Sequence, residues 1–362
     1  MSNAPILIAA GGTGGHIFPA LAIARALRER DIPVQWVGSP GGMEATVVPE
    51  ASFDLHTIKV TALRGRGLRA RLRSVVNVVR ALVLSAGLIR RVKPRAVLGM
   101  GGYVSGPVCL AARLCGKRLL VHEQNAVSGY TNRILKRFAN RVLEAVPGTF
   151  APASDVVHTG NPVRREILAI DDPQQRLGAR LSGSSDEAIR LLVLGGSQGA
   201  QKLNETVPAA LQAVPVKLEI RHQAGASRQA QTQQLYQNAT HQSSVVQFID
   251  EMAEAYGWAD LVICRAGAMT VAELAAAGVA SILVPFPYAV DDHQTANARH
   301  LERAGAAVIM QESEMNDARL AELVSQLCGD RPALLQMALA ARKLACGDAT
   351  QRIVNELLEQ NT

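Results

Sequence analysis

His16 ends the run Gly11-Gly12-Thr13-Gly14-Gly15-His16, which is entered from the apolar segment Ile6 to Ala10 and opens a helical pattern. At a turn-to-helix junction the helix dipole disfavours a protonated imidazole, so the ring is kept available as a base near neutral pH. A hydrogen bond that caps the loop is the other role open to it. The surrounding glycines favour chemistry, because they let a ligand approach the backbone. A second run, Gly195-Gly196-Ser197-Gln198-Gly199, holds the corresponding place in the later half. Both turns pair close backbone access with the free N–H groups of a helix start, the arrangement that receives an anion. The pattern points to an enzyme that handles a nucleotide.

Other polar clusters share this placement. His122-Glu123-Gln124-Asn125 follows a strand-like run and gathers side chains that can position sugar hydroxyls or an acetamido group. A network that merely joins two domains fits the same spacing. Glu273 follows Arg265-Ala266-Gly267-Ala268 on the first turns of a helix, where a carboxylate can accept both hydroxyls of a ribose or simply complement the dipole. If a diphosphate leaves, its growing charge must be met by the helix start after Gly195 and by a cation such as Arg164.

Several familiar chemistries are disfavoured. The first loop has Ile17 where a dinucleotide fingerprint needs its third glycine, and the second strand ends in Val37-Gly38-Ser39 without the ribose-binding acid, against NAD. Neither loop carries a Lys-Ser/Thr pair, against a Walker-type ATPase. Asp171-Asp172 and Asp291-Asp292 are adjacent pairs without accompanying ligands, and no DxD triplet occurs, so no metal site is expected.

The elements that must position these residues alternate. Strands are expected at Ile6 to Ala10, Val34 to Val37, Ala96 to Leu98 and Leu119 to His122, with helices from about Pro19 to Arg30 and through a later basic stretch. Alternation of this kind implies right-handed β-α-β crossovers and a parallel sheet, with ligands beyond the carboxyl ends of the strands. The pattern restarts near Gly160-Asn161-Pro162, placing an interdomain connection close to residues 160–165, with a polar stretch from Asp171 to Glu187 before the next strand. Further strands are expected at Arg190 to Leu194, Lys217 to His222, Val245 to Phe248, Leu261 to Cys264 and Ser281 to Val284. At 362 residues the chain can bury two cores, and 48% hydrophobic with 4% aromatic residues predicts aliphatic ones.

The five cysteines fall in no zinc spacing and suit a reducing cytosol. Ile6 to Ala10 is too short for a signal-peptide core, so the protein is expected to stay inside. The net charge of +7 concentrates in Arg64, Arg66, Arg69, Arg71, Arg73, Arg80, Arg90, Arg91, Lys93 and Arg95 around the apolar stretch Ser74 to Ile89. That stretch is too short and polar to span a bilayer. It reads either as a helix lying on an anionic membrane surface or as a core helix with solvated arginine ends.

Taken together, Gly11 to Pro19, Gly99 to Pro107, His122 to Asn125, Gly160 to Arg164, Gly195 to Ala200 and Arg265 to Thr270 closely resemble the MurG family of peptidoglycan glycosyltransferases, which convert lipid I to lipid II. The resemblance runs in order from about residue 5 to the end. It implies an α/β fold of the GT-B type, two Rossmann-like domains with parallel sheets facing a cleft. Residues 1–162, completed by a terminal helix at about 342–362, would take the lipid-linked acceptor and dock on the membrane; residues 163–341 would bind UDP-N-acetylglucosamine.

By motif match, Ile249 would contact uracil through its backbone, Glu273 would hold the ribose, and Ala268, Met269, Thr270, Val271 and Ala272 would line the nucleotide pocket. Ser197 and Arg164 would meet the phosphates, while Asn125 and Gln294 would orient the sugar. Thr13, Gly14 and Gly15 would face donor sugar and acceptor, and Tyr103, Asn132 and Asn204 complete the substrate-binding set. His16 is the family's usual base candidate, with Glu123 in a similar polar setting.

The implied reaction is an inverting transfer requiring no cofactor, with peripheral attachment at the cytoplasmic face of the inner membrane. It also implies a part in cell shape and division, leaves room for partners among other cell-wall or division proteins, and implies no nucleic acid. Two alternatives stay open: a UDP-N-acetylglucosamine 2-epimerase on a similar fold, and a noncatalytic nucleotide-binding scaffold for cell-wall enzymes.

Overall fold

In the computed structural model, residues 4–60, 68–182, 187–196, 199–237 and 241–359 are described, the side chains of 68–75 and 182 excepted. The chain divides into two units: residues 1–163 with 348–362, and residues 164–347.

The first unit is built on a seven-stranded sheet in the order β3-β2-β1-β4-β5-β6-β7, every neighbouring pair parallel. Its strands are β1 (Ile6–Ala10), β2 (Val34–Gly38), β3 (Asp54–Thr57), β4 (Ala96–Gly101), β5 (Arg118–Glu123), β6 (Arg141–Glu144) and β7 (Val156–His158). The helices between them are α1 (Gly14–Arg28), α2 (Glu44–Glu50), α3 (Leu68–Val92), α4 (Ser105–Leu114) and α5 (Tyr130–Leu135). Central strands of a parallel sheet are covered on both faces and so read as continuous apolar runs. Ile6, Ile8 and Ala10 pack against Ile17, Leu21, Ala24 and Leu27 of α1, whereas Leu7 and Ala9 face Val108 and Ala112 of α4 with Ala81 and Ile89 of α3. The terminal helix Ala349–Leu358 belongs to this unit, burying Ile353, Val354 and Leu357 in the same core as α1. Arg30 of this unit donates to Asn355 at 3.0 Å.

The second unit has a six-stranded parallel sheet in the order β10-β9-β8-β11-β12-β13. Its strands are β8 (Ile189–Leu194), β9 (Leu218–Gln223), β10 (Gln242–Val246), β11 (Leu261–Cys264), β12 (Ala280–Leu283) and β13 (Ala307–Ile309). Its helices are α6 (Arg165–Leu168), α7 (Pro173–Ser182), α8 (Gln201–Leu211), α9 (Gln229–Leu235), α10 (Met252–Trp258), α11 (Ala268–Ala277), α12 (His293–Glu302), α13 (Asp317–Gly329) and α14 (Arg331–Lys343), so the terminal helix above is α15.

Some boundaries differ from expectation. The first helix begins at Gly14 instead of about Pro19, so Pro19 sits inside it and gives up one backbone hydrogen bond. The polar stretch before β8 holds α7, whose Leu177 and Leu181, one turn apart, enter the core. Strand β10 ends at Val246, which leaves Phe248 half exposed in the next loop. Both sheets reverse strand order once, between β1 and β4 and between β8 and β11. Loops leaving the carboxyl ends of those strands flank the crevice where open parallel sheets bind ligands.

Candidate active site

In the first unit the turn after β1 is shaped from below. Glu44, fully buried, accepts from Gly12 N at 3.1 Å and Ser39 N at 2.7 Å, pinning the loops after β1 and β2 together. It is a positioning residue that the sequence reading missed. Thr13 then stands at the N-cap of α1 without a side-chain cap bond, and Gly14, Gly15 and His16 form the first turn. The first N–H groups of a helix have no intrahelical partner and can face a ligand.

His16 lies against Gly101, the last residue of β4. A Cβ on Gly101, whose φ is +103°, would come within 2.9 Å of His16 Nδ1, so only glycine admits the ring here. His16 Nδ1 lies 3.2 Å from Gln124 Oε1. The Gln124 amide nitrogen donates to Met100 O at 3.0 Å and to His122 Nδ1 at 3.1 Å, and His122 Nε2 donates to Gly160 O at 3.1 Å. Burial pushes His122 down to about 4, so it is neutral at ordinary pH. His16 Nε2 has no hydrogen-bond partner among the described residues.

Glu123 is placed differently from the expectation of a second base. Its Oε1 accepts from the backbone and side-chain nitrogens of Asn125 at 3.0 and 3.1 Å, and its Oε2 accepts from Gly129 N at 3.0 Å and Asn132 Nδ2 at 2.9 Å. At 2% exposure, with donors on both oxygens, this carboxylate organises the loop after β5 and offers no open lone pair to a substrate proton. Its hydrogen bonds make Glu123 an organiser of that loop. Asn132 is buried beside it and also donates to His122 O, while Asn125 is half-buried. Tyr103, 60% exposed after β4, presents its side chain to solvent.

In the second unit the turn after β8 rests on Gln223, which accepts from Gly196 N at 3.0 Å and donates to Gly196 O and Gln247 O. Ser197 lies outside the described residues. Asn204, 3% exposed, accepts from His222 Nε2 and donates to Ala224 O, so its polar atoms are engaged beneath the loop.

After β11, helix α11 starts from Gly267 without a side-chain cap bond, leaving the N–H groups of Ala268, Met269 and Thr270 at its open end. Val271 faces the core, and Ala272 is half-buried. Glu273 accepts from Arg164 Nη2 at 3.1 Å on one oxygen and from the Tyr256 hydroxyl at 3.3 Å on the other. Burial pushes its carboxyl above the ordinary value, opposed by Arg164 and by the hydroxyl. Arg164 and Glu273, expected at phosphate and ribose, are thus brought together.

Gln294 Oε1 accepts from Ala266 N at 3.2 Å and Phe286 N at 2.9 Å, while its Nε2 has no partner among the described residues and can donate. The backbone N–H and C=O of Ile249 are likewise without partners there. Among the described residues no group of three or more His, Cys, Asp or Glu is placed to hold a metal ion.

These two sites have known counterparts. The glycosyltransferase family 28 N-terminal domain matches residues 6–144, and the family 28 C-terminal domain matches residues 190–353. The chain is 49% identical over 364 residues to the UDP-N-acetylglucosamine--N-acetylmuramyl-(pentapeptide) pyrophosphoryl-undecaprenol N-acetylglucosamine transferase of Marinobacter nauticus, with 99% of each chain covered. The crystal structure of Acinetobacter baumannii MurG superposes with a TM-score of 0.87 at 41% identity, covering 98% of this chain and 99% of that one. A UDP-GlcNAc 2-epimerase from Neisseria meningitidis is similar in fold alone, with a TM-score of 0.66 at 12% identity over 98% of this chain and 100% of that one. With family domains matched over most of its length and a relative this similar from end to end, the chain belongs to glycosyltransferase family 28, on a GT-B fold of two Rossmann-like units.

Proposed function

We propose that the protein is an inverting hexosyltransferase. It moves N-acetylglucosamine from UDP-N-acetylglucosamine to the C4 hydroxyl of the N-acetylmuramoyl unit of undecaprenyl-diphosphate-linked lipid I, giving lipid II and UDP. Kinship with family 28, and above all with a full-length relative named for this transfer, supports the substrates. The observation that carries the chemistry is the open Nε2 of His16 at the first turn of α1.

The C4 oxygen attacks C1 of the donor sugar while His16 Nε2 takes its proton. The bond from C1 to the diphosphate oxygen breaks, and UDP leaves with the electron pair. Direct displacement needs a base, alignment and leaving-group stabilisation, but no enzyme nucleophile. Glu273 accepts the ribose hydroxyls, Arg164 beside it meets the phosphates together with Ser197 and the start of α8, and the backbone of Ile249 reads uracil. Gln294 donates its free amide hydrogens to the sugar, which Asn125 helps orient. Thr13, Gly14 and Gly15 meet the reacting sugars at the start of α1.

A lipid-linked acceptor calls for a membrane-facing surface, which α3 supplies. Val76, Val79, Val83 and Leu84 are exposed along one stripe, at 58, 53, 65 and 49%, beside exposed Arg80, Arg90 and Arg91, while Ala81, Ser85 and Ile89 point inward. A stripe of this kind suits an anionic lipid surface. Among the described residues no helix is long and apolar enough to cross a membrane. We therefore place the enzyme peripherally on the cytoplasmic face of the inner membrane.

Labelled UDP-N-acetylglucosamine incubated with a lipid I analogue should give the lipid-linked disaccharide and UDP. An epimer formed from donor alone would favour the epimerase reading, and donor binding without any turnover the scaffold.

A further inference from the structure

The hydrogen bonds around His16 can have only one polarity. Both ends of the chain from Met100 and Gly160 to His16 rest on backbone carbonyls, which accept and never donate. Because Gly160 O accepts from His122 Nε2 at 3.1 Å, neutral His122 carries its proton there and presents a lone pair at Nδ1. That lone pair and Met100 O, at 3.1 and 3.0 Å, both require the nitrogen end of the Gln124 amide. The oxygen end must then face His16, whose Nδ1 at 3.2 Å can satisfy it only by donating. A flipped amide would set two acceptors against each other at Met100. Gln124 is 1% exposed and His122 fully buried, so water does not compete for these positions.

We propose that Gln124, held by Met100 O and by His122, is a positioning residue that selects the Nδ1–H tautomer of His16 and so leaves Nε2 unprotonated to receive the acceptor's proton. The catalytic meaning of this rests on the transferase reading above, whereas the tautomer itself does not. Free neutral imidazole in water favours the opposite tautomer, with the proton on Nε2, so an unsupported His16 would spend most of its time without a lone pair facing outward. The buried chain acts through His16 and touches no substrate. The ring's contact with Gly101 fixes its plane, and the amide fixes its proton.

The test is a nitrogen-15 spectrum of histidine-labelled full-length protein at a pH where the rings are neutral, with the His16 signals assigned by their disappearance in His16→Asn. The wild type should show Nδ1 of His16 as the protonated, pyrrole-type nitrogen and Nε2 as the pyridine-type nitrogen. Finding the reverse would overturn the proposal whether or not the enzyme transfers sugar. Gln124→Met, close in volume but lacking the acceptor, should move His16 toward the Nε2–H form. It should also lower kcat by about tenfold or more, within the 10²–10⁴-fold that a general base supplies, with KM for UDP-N-acetylglucosamine unchanged. A variant with the wild-type tautomer, or with an altered tautomer and wild-type kcat, would equally refute it. Because the wild-type spectrum needs no turnover and no variant fold at Gln124, failure of the transferase reading leaves this assignment standing or falling by itself.

Discussion

Each unit buries a histidine on a strand beside its strand-order reversal, and the two histidines serve different ends. In the first unit the chain from His122 runs through Gln124 to His16 and stops at a ring nitrogen, Nε2, with no hydrogen-bond partner among the described residues. In the second, His222 bonds Tyr236 through Nδ1 and Asn204 through Nε2, both at 3.0 Å, and Asn204 passes on to Ala224 O. That network closes on itself under the glycine turn. On the proposed function, the same parallel-sheet plan would support proton transfer in one unit and a rigid ligand cradle in the other. What differs is whether the last polar group is used up inside the protein. In the second unit the open groups lie elsewhere, at the backbone of Ile249, the start of α11 and the amide of Gln294.

The largest test of this contrast is His16→Ala. It should lower kcat by about 10²–10⁴-fold, measured as disaccharide formation at saturating donor and acceptor. A loss under tenfold would place the base elsewhere.

The contrast should vanish in acid, where both buried histidines behave alike. Burial holds His122 and His222 at about 4 and about 3, below the ordinary 6.5. The unfolded chain then takes up protons first, so the stability they contribute is intact above about pH 6.5 and falls with pH until those folded-state values are reached. The loss is on the order of 3 kcal/mol for His122 and about 5 kcal/mol for His222. Denaturant midpoints between pH 7 and pH 4 should decline, and His222→Gln should flatten the decline of the second unit; identical slopes would show that His222 does not carry the effect.

Next in size, Glu273→Ala should raise KM for UDP-N-acetylglucosamine by about 10–100-fold, the worth of hydrogen bonds to a charged group, while kcat changes much less. An unchanged KM would remove Glu273 from the donor site. The smallest effect is expected on the outer face of α3. Val83→Asp should weaken salt-sensitive binding to anionic vesicles severalfold and leave binding to neutral vesicles as it was. Equal binding by both proteins at every salt concentration would refute the docking face.

Much of this was legible in the sequence, because buried parallel strands and glycine turns are local signals. Ile6–Ala10 and Leu261–Cys264 announce themselves as unbroken apolar runs, and both glycine turns lie directly beyond a strand. Strands β3, β6, β7 and β13 were missed because none offers an unbroken apolar run of that length: β3 and β7 contain no buried residue, β6 is bounded by Arg141 and Glu144, and β13 is three residues long. Within the sites, residue types pointed to His16 and Glu273, but partners did not. Glu44 joins two loops across 32 residues, and Gln223 reaches Gly196 across 27. Long-range pairs of this kind leave no periodicity in one sequence. Glu123 shows the same limit: a carboxylate next to a histidine suggests a base, while the donors from Asn125, Gly129 and Asn132 that let it organise the loop after β5 are seen only in the structure.

The division of labour between the units is tested most directly by titrating UDP-N-acetylglucosamine into His16→Ala and following the heat of binding. The account predicts wild-type donor affinity in a protein that has lost turnover. A variant that no longer binds the donor would contradict it, because His16 would then belong to the donor cradle and not to the proton-accepting site.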